Sequence, residues 1–247
     1  MSELKSYAVW DASTRWFHWI NALCVFAIAV VGLVILNAGD LGVSNTGKVA
    51  LKTIHTWIGY VLALNLLWRI AWAFLGNRYA RWRSILPGGK GYLRAVRSYV
   101  AAFIAGLPEQ YLGHNPVGRL GIAMLFLLLS IQVITGLVLA GTDLFYPPLG
   151  HWIAQWVAVP DVAPGSLLPY APKMYDAAAY ESMRAFRKPF PLVHLYNFYV
   201  LVVVVVMHVA AVIITELREG GSIISAMITG RKIISGRPVD QDRSSHD

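Results

Sequence analysis

Cysteine is nearly absent: Cys24 stands alone among 247 residues. One thiol excludes an internal disulfide, a four-cysteine iron-sulfur cluster and a CxxCH attachment of haem, so any redox centre must use other ligands. Charge is also scarce, at 14% of residues against a usual ~25%, while hydrophobic residues make up 57% and the mean hydropathy is +0.54. A soluble domain does not have this composition; an integral membrane protein does. Acids are the scarcer sign, 13 Asp+Glu against 21 Lys+Arg, for a net charge of +8. That excess could point to nucleic acid, so the location of the basic residues has to be settled before their meaning. The sequence contains no repeat, nucleotide-binding loop or catalytic triad.

Long charge-free runs fill the space that charge leaves. No charged residue lies between Arg15 and Asp40, and none in the 27 residues from Pro189 to Thr215. Each run can cross a hydrocarbon core of about 30 Å. With the runs after Lys52 and from Leu120 to Thr142, the expectation is an all-α membrane protein. It is a single four-transmembrane-helix bundle, with spans at about 14–37, 52–75, 117–142 and 189–216 and a tail at 217–247. The first run lacks a small-residue cleavage site and reads as a retained helix. The 76–119 connection contains GYLRAVRSYVAAFIAG, too charged to cross and suited to a helix lying on the membrane. HWIAQWVAV in the 143–188 connection reads as a second, short interfacial helix.

The basic residues then sort by side. The amino terminus, the 76–119 loop and the tail hold fourteen Lys+Arg, with Arg69 at the same end of its helix, and the other two loops hold six. The positive-inside rule puts both termini and the 76–119 loop in the cytoplasm and the 143–188 loop outside. The charge is thereby explained without nucleic acid. The lipid bilayer is the surrounding phase, and a homo-oligomer is left open.

Four histidines lie within or beside the spans: His18, His55, His194 and His208. An imidazole in a lipid-spanning helix needs a protein interior and a partner. His194 and His208 are 14 residues apart, which returns them to one helix face about 21 Å apart. That is too far for one metal ion and suits two sites at two depths. The alternating directions of the helices pair His55 with His194 towards the outside and His18 with His208 towards the inside. Facing neutral imidazoles can bind a planar macrocycle from both sides, which indicates two b-type haems, each bis-histidine ligated through iron. Taken singly, each histidine reads as interfacial or hydrogen-bonded. A zinc or di-metal site is the rival, but no Asp or Glu accompanies these histidines in the spans. Gly32, Gly59, Gly121 and Gly136 recur at related spacing and could clear a haem, or serve ordinary helix packing. Arg15 near His18, and Arg187 and Lys188 near His194, are placed to meet haem propionates or to anchor at the interface. Asn115 followed by Pro116 makes a conventional helix start. His151 reads as interfacial, Cys24 as packing, and His246 in the polar tail has no assigned role.

Six features together carry a family resemblance: RWFHW around His18, IHTWIGY around His55, FLGNRYARW after the second span, GHNP before the third, two histidines 14 apart in the fourth, and SAMITGRK in the tail. With these the chain resembles the bacterial di-haem cytochrome b subunits of membrane-bound nickel-iron hydrogenases. The resemblance implies an electron-transfer subunit of the bacterial inner membrane, linking a periplasmic-facing partner to membrane quinone. It implies the four histidines as axial ligands, and His114 and Asn115 as a quinone site in which His114 also passes a proton. The 143–188 loop is longer and differently composed than those subunits lead one to expect. It admits a multihaem c-type cytochrome as the partner in place of a hydrogenase small subunit. A stand-alone oxidoreductase that reduces quinone with superoxide or another small donor is the alternative function.

Overall fold

The computed structural model describes residues 4–107, 109–219 and 222–241; His246 lies outside them. Four long helices dominate: α1 (Ala12–Leu36), α2 (Asn45–Leu75), α5 (Pro116–Leu144) and α8 (Pro189–Glu219), the last following directly on α7 (Ala177–Arg187). All four are long and apolar enough to cross a membrane. In lipid a helix satisfies its own backbone, which an irregular segment cannot do. Leu23, Phe26, Val206 and Met207 point outward from α1 and α8, 62–72% exposed, as a hydrocarbon solvent requires. The observed second helix begins at Asn45, seven residues before the expected 52, because the polar turn at Lys48 and Lys52 continues the helix beyond its apolar part.

The chain divides into two compact units. The first comprises Met1–Trp19, Leu66–Leu127 and Leu201–Asp247. It includes α3 (Trp82–Ile85), α4 (Tyr92–Ile104), α9 (Ile223–Thr229) and an antiparallel pair that the sequence does not announce, β1 (Leu4–Ala8) with β2 (Arg231–Ser235), registered Leu4 to Ser235. Gly230 makes this junction work. Its φ is +80°, its carbonyl accepts from Val9 and Trp10 N–H, and a Cβ there would stand 2.6 Å from the Trp10 oxygen. Val9, Leu112 and Ile234 pack beneath the pair, flanked by Tyr7, Trp10 and Tyr79. Two carboxylates hold the tail. Asp240 accepts from the backbone N–H of Leu112 (2.7 Å) and Gly113 (2.8 Å). Glu216 accepts from Ser222, Ile223 and Ile224 N–H at the start of α9.

The second unit comprises Ile20–Asn65 and Leu128–Val200. Its 143–188 connection is folded: α6 (Gly150–Val157), the segment expected to be helical, packs with α7. Ile153, Val157, Leu167, Tyr175 and Met183 form a small core there. Asp176 caps α7 by accepting from Ala179 N–H at 2.8 Å. At the end of α5, Asp143 accepts two bonds from Arg187 (2.6 and 3.0 Å) and one from Lys52 (2.5 Å).

Asp11 starts α1. One carboxylate oxygen accepts from Thr14 N–H at 2.7 Å, the other from Trp72 Nε1 at 3.0 Å and Asn77 N–H at 3.5 Å. Burial alone would raise this carboxyl, but the bonds from Thr14, Trp72 and Asn77 outweigh it and hold it below the usual range. Asp11→Ala is expected to cost about 1–2 kcal/mol, the usual worth of such a cap, read as a lower unfolding temperature in detergent. Because the folded value is depressed, the stabilisation is complete above the ordinary carboxylate pKa of about 3.9. It is lost as the pH falls through the lower folded value.

Candidate functional site

Within the second unit, α2 and α8 present His55 and His194 to each other, ring centroids 6.2 Å apart and planes inclined by 64°. Two imidazoles bound to one metal through bonds of about 2.0 Å have ring centres roughly 6 Å apart, so this separation fits a shared axial pair. A cavity adjoins both rings, lined also by Ile28, Gly59, Tyr60, Gln132 and Gly136. Glycine shapes it. A Cβ on Gly32 would lie 3.2 Å from His55 Cε1, and one on Gly136 would lie 3.3 Å from His194 Cε1. These two glycines therefore make room for the two imidazole rings themselves. Gly32, which the 14-residue spacing associates with His18, stands against His55. A Cβ on Gly59 would meet Ile28 at 3.6 Å, and one on Gly121 would meet nothing within 4 Å.

The tautomer of His194 follows from its neighbours. Thr135 Oγ1 donates to the Ile131 carbonyl (2.7 Å), so towards His194 Nδ1 (2.8 Å) it acts as acceptor. Nδ1 then carries the proton and Nε2 the lone pair. Consistently, Gln132 turns its amide nitrogen to Nε2 (3.0 Å), while its oxygen accepts from Asn197 Nδ2 (2.6 Å). A lone pair on Nε2 with Nδ1–H anchored is the arrangement a metal-binding histidine needs; to take a metal there, His194 gives up the Gln132 bond. His55 Nδ1 is shielded and faces the Ile28 carbonyl without reaching hydrogen-bond geometry. Thr135, Gln132 and Asn197 were not singled out in the sequence. The available signal was a Gln and a Thr one turn apart in an otherwise apolar span.

In the first unit His18 and His208 are electrostatic neighbours, and His18 Nδ1 is shielded with no hydrogen-bond partner. Trp19 stands edge-on to His18 at 5.1 Å and donates to the Met227 carbonyl at 3.0 Å. Arg15 donates to the Ile228 carbonyl while its Nε is shielded and unpaired. The other two basic residues differ: Arg187 is engaged by Asp143, and Lys188 is exposed. His114 lies tilted against Trp10 (ring centroids 4.8 Å apart), its Nδ1 shielded and without a hydrogen-bond partner. Burial, then the charges of Arg69, Lys232 and Arg119, push its pKa down to about 3. The ring is neutral at physiological pH, which suits a hydrogen-bond contact better than proton carriage. Asn115 is used structurally: its Oδ1 accepts from Gly118 N–H (2.6 Å) and its Nδ2 donates to Tyr99 (2.7 Å). His151 is exposed on α6, and Cys24 is buried and free. Among the described residues no three His, Cys, Asp or Glu side chains gather as metal ligands.

The family model described as prokaryotic cytochrome b561 matches residues 9–230. A Cupriavidus necator protein named "Probable Ni/Fe-hydrogenase B-type cytochrome subunit" is 26% identical over 92% of this chain and 87% of its own length. The Rhizobium leguminosarum protein of the same name is 28% identical over 95% and 92%. The Escherichia coli K12 "Probable Ni/Fe-hydrogenase 1 B-type cytochrome subunit" is 33% identical over 54% and 60%. No solved structure matches.

Replacing Thr135 with Val removes the acceptor that orients His194. If the pair holds a haem, its affinity there falls ~10- to 100-fold, as for other ligand-orienting partners, measured by haem titration of the apoprotein.

Proposed function

Because the chain belongs to the prokaryotic cytochrome b561 family, which implies b-type haem, we propose that it is a membrane electron-transfer subunit linking a periplasmic redox partner to the quinone pool. The observation that carries this reading is the His55–His194 pair, facing across 6.2 Å beside a cavity. In this reading His55 and His194 hold one haem and His18 and His208 a second, as axial ligands of the iron. Haem so ligated supplies a one-electron couple with both axial positions filled, which favours electron transfer over chemistry on a bound substrate.

The remaining residues position and recognise. Thr135 keeps His194 in the tautomer that offers Nε2. Gly32 and Gly136 keep the backbone of α1 and α5 clear of the ligand rings, and Gly59 and Gly121 leave space for the ring system. Arg15, with its unpaired Nε, is the favoured propionate contact at the inner pair. Arg187, with Lys188 beside it, holds the outer rim through Asp143. The quinone head group meets neutral His114 at the turn before α5, whose backbone Asn115 fixes.

Nickel-iron hydrogenase is the favoured partner, since the relatives carry that name. Its small subunit would dock on the folded 143–188 segment, the face that a multihaem c-type cytochrome would otherwise use. Basic residues concentrated in the 76–119 loop and tail support an inner-membrane location with both termini cytoplasmic.

His194→Ala and His208→Ala are each expected to remove about half of the b-haem signal in reduced-minus-oxidised spectra of membranes, one haem of two. Two haems retained in both variants would remove the ligand assignment. His114→Ala should keep both haems and slow quinol formation by about tenfold, the worth of one hydrogen bond of roughly 1.4 kcal/mol. An unchanged rate would count against the quinone site.

A further inference from the structure

Arg69 is a charged side chain inside a membrane span and only 4% exposed. Its guanidinium lies 5.8 Å from the Phe17 ring and 5.7 Å from the Phe126 ring, and those two rings are parallel. The aromatic faces orient it but do not neutralise it. Asp11 attracts it through space without forming an ion pair, and the Asp11 oxygens are already taken by Thr14, Trp72 and Asn77. Arg69 Nη1 is shielded and has no hydrogen-bond partner. A buried guanidinium stays charged, and leaving it uncompensated in a low-dielectric interior is costly. Among the described residues no carboxylate is within ion-pair distance of it, so an anion is the partner it still lacks.

Three observations point towards the inner histidine pair. Phe17, against which the guanidinium lies, directly precedes His18. His114 has Arg69 and His208 together among its electrostatic neighbours. On α2 Arg69 follows His55 by fourteen residues, the interval between His194 and His208 on α8, and an α-helix returns such positions to one face.

We infer that Arg69 is the buried counter-ion of a propionate carboxylate of the haem held by His18 and His208. This rests on the haem reading above and adds to it a residue that sets the electron affinity of one centre. A fixed positive charge beside a haem favours the reduced, more negative state, so its loss makes that haem harder to reduce.

The test is a redox titration of purified holoprotein carrying Arg69→Gln or Arg69→Lys, monitored in the b-haem absorbance. In Arg69→Gln one of the two transitions should move to lower potential by about tenfold in its reduction equilibrium, ~59 mV for one electron, while the other stays in place. Arg69→Lys, which keeps the charge but loses the fork, should retain both haems and shift the same transition by less than half as much. Selective loss of the inner haem in Arg69→Gln would also support the assignment. Two unmoved potentials with both haems present would overturn it, and so would unmoved potentials accompanied by a raised KM for quinone, which would reassign Arg69 to the quinone. Equal loss of both haems in both variants would make Arg69 a folding residue only. If the unmutated protein shows no b-haem bands, it is the haem reading that fails.

Discussion

Hydrocarbon offers a polar side chain no water to fall back on, and this constraint arranges the interior of the protein. Every imidazole or guanidinium kept in a span must be answered from within the fold or by something the fold binds. His194 is answered on both ring nitrogens, by Thr135 and Gln132. His18 and His55 each keep a shielded nitrogen with no hydrogen bond, and Arg69 keeps a shielded Nη1. Unanswered groups of this kind are rare in folded proteins because each costs free energy. Open polar atoms of this kind are what the cofactor-binding reading draws on.

The ends of the long helices meet the opposite problem. There the backbone has exposed its unpaired groups, and short acidic side chains supply the acceptors. Asp11, Asp176 and Glu216 each collect backbone N–H groups at a helix start, and Asp240 does the same for the turn before α5. Asp143 collects cations instead, joining Arg187 and Lys52. With so few acids in the chain, a large share of them do structural work at or near element ends.

These two arrangements together suit electron transfer. A ring fixed by hydrogen bonds, as His194 is, changes little in position, and Gly32 and Gly136 leave no side chain between helix and the rings of His55 and His194. Membership of the cytochrome b561 family accounts for the architecture as a whole. The positions of Thr135 and Arg69 add what the family name does not say: how the tautomer of His194 is held, and where a fixed charge stands.

The four spans could be read directly from the sequence, because lipid demands long charge-free helices and a run such as Pro189 to Thr215 has no other use. The facing of His55 and His194 was legible too, since alternating helix direction assigns each histidine a depth. The pairing of β1 with β2 was not. LKSYA and RKIIS are weak strand patterns separated by more than 200 residues, and only tertiary proximity joins them. Nor was the bond from Arg187 to Asp143, since the sequence offers Arg187 either a propionate or the interface and places no acid beside it. Sequence determined which segments are long and apolar enough to cross a membrane, because periodicity and hydrophobicity are local. Tertiary structure alone decided which polar atoms find partners and which are left open, because a hydrogen bond depends on the angle and distance between groups that the chain brings together from afar.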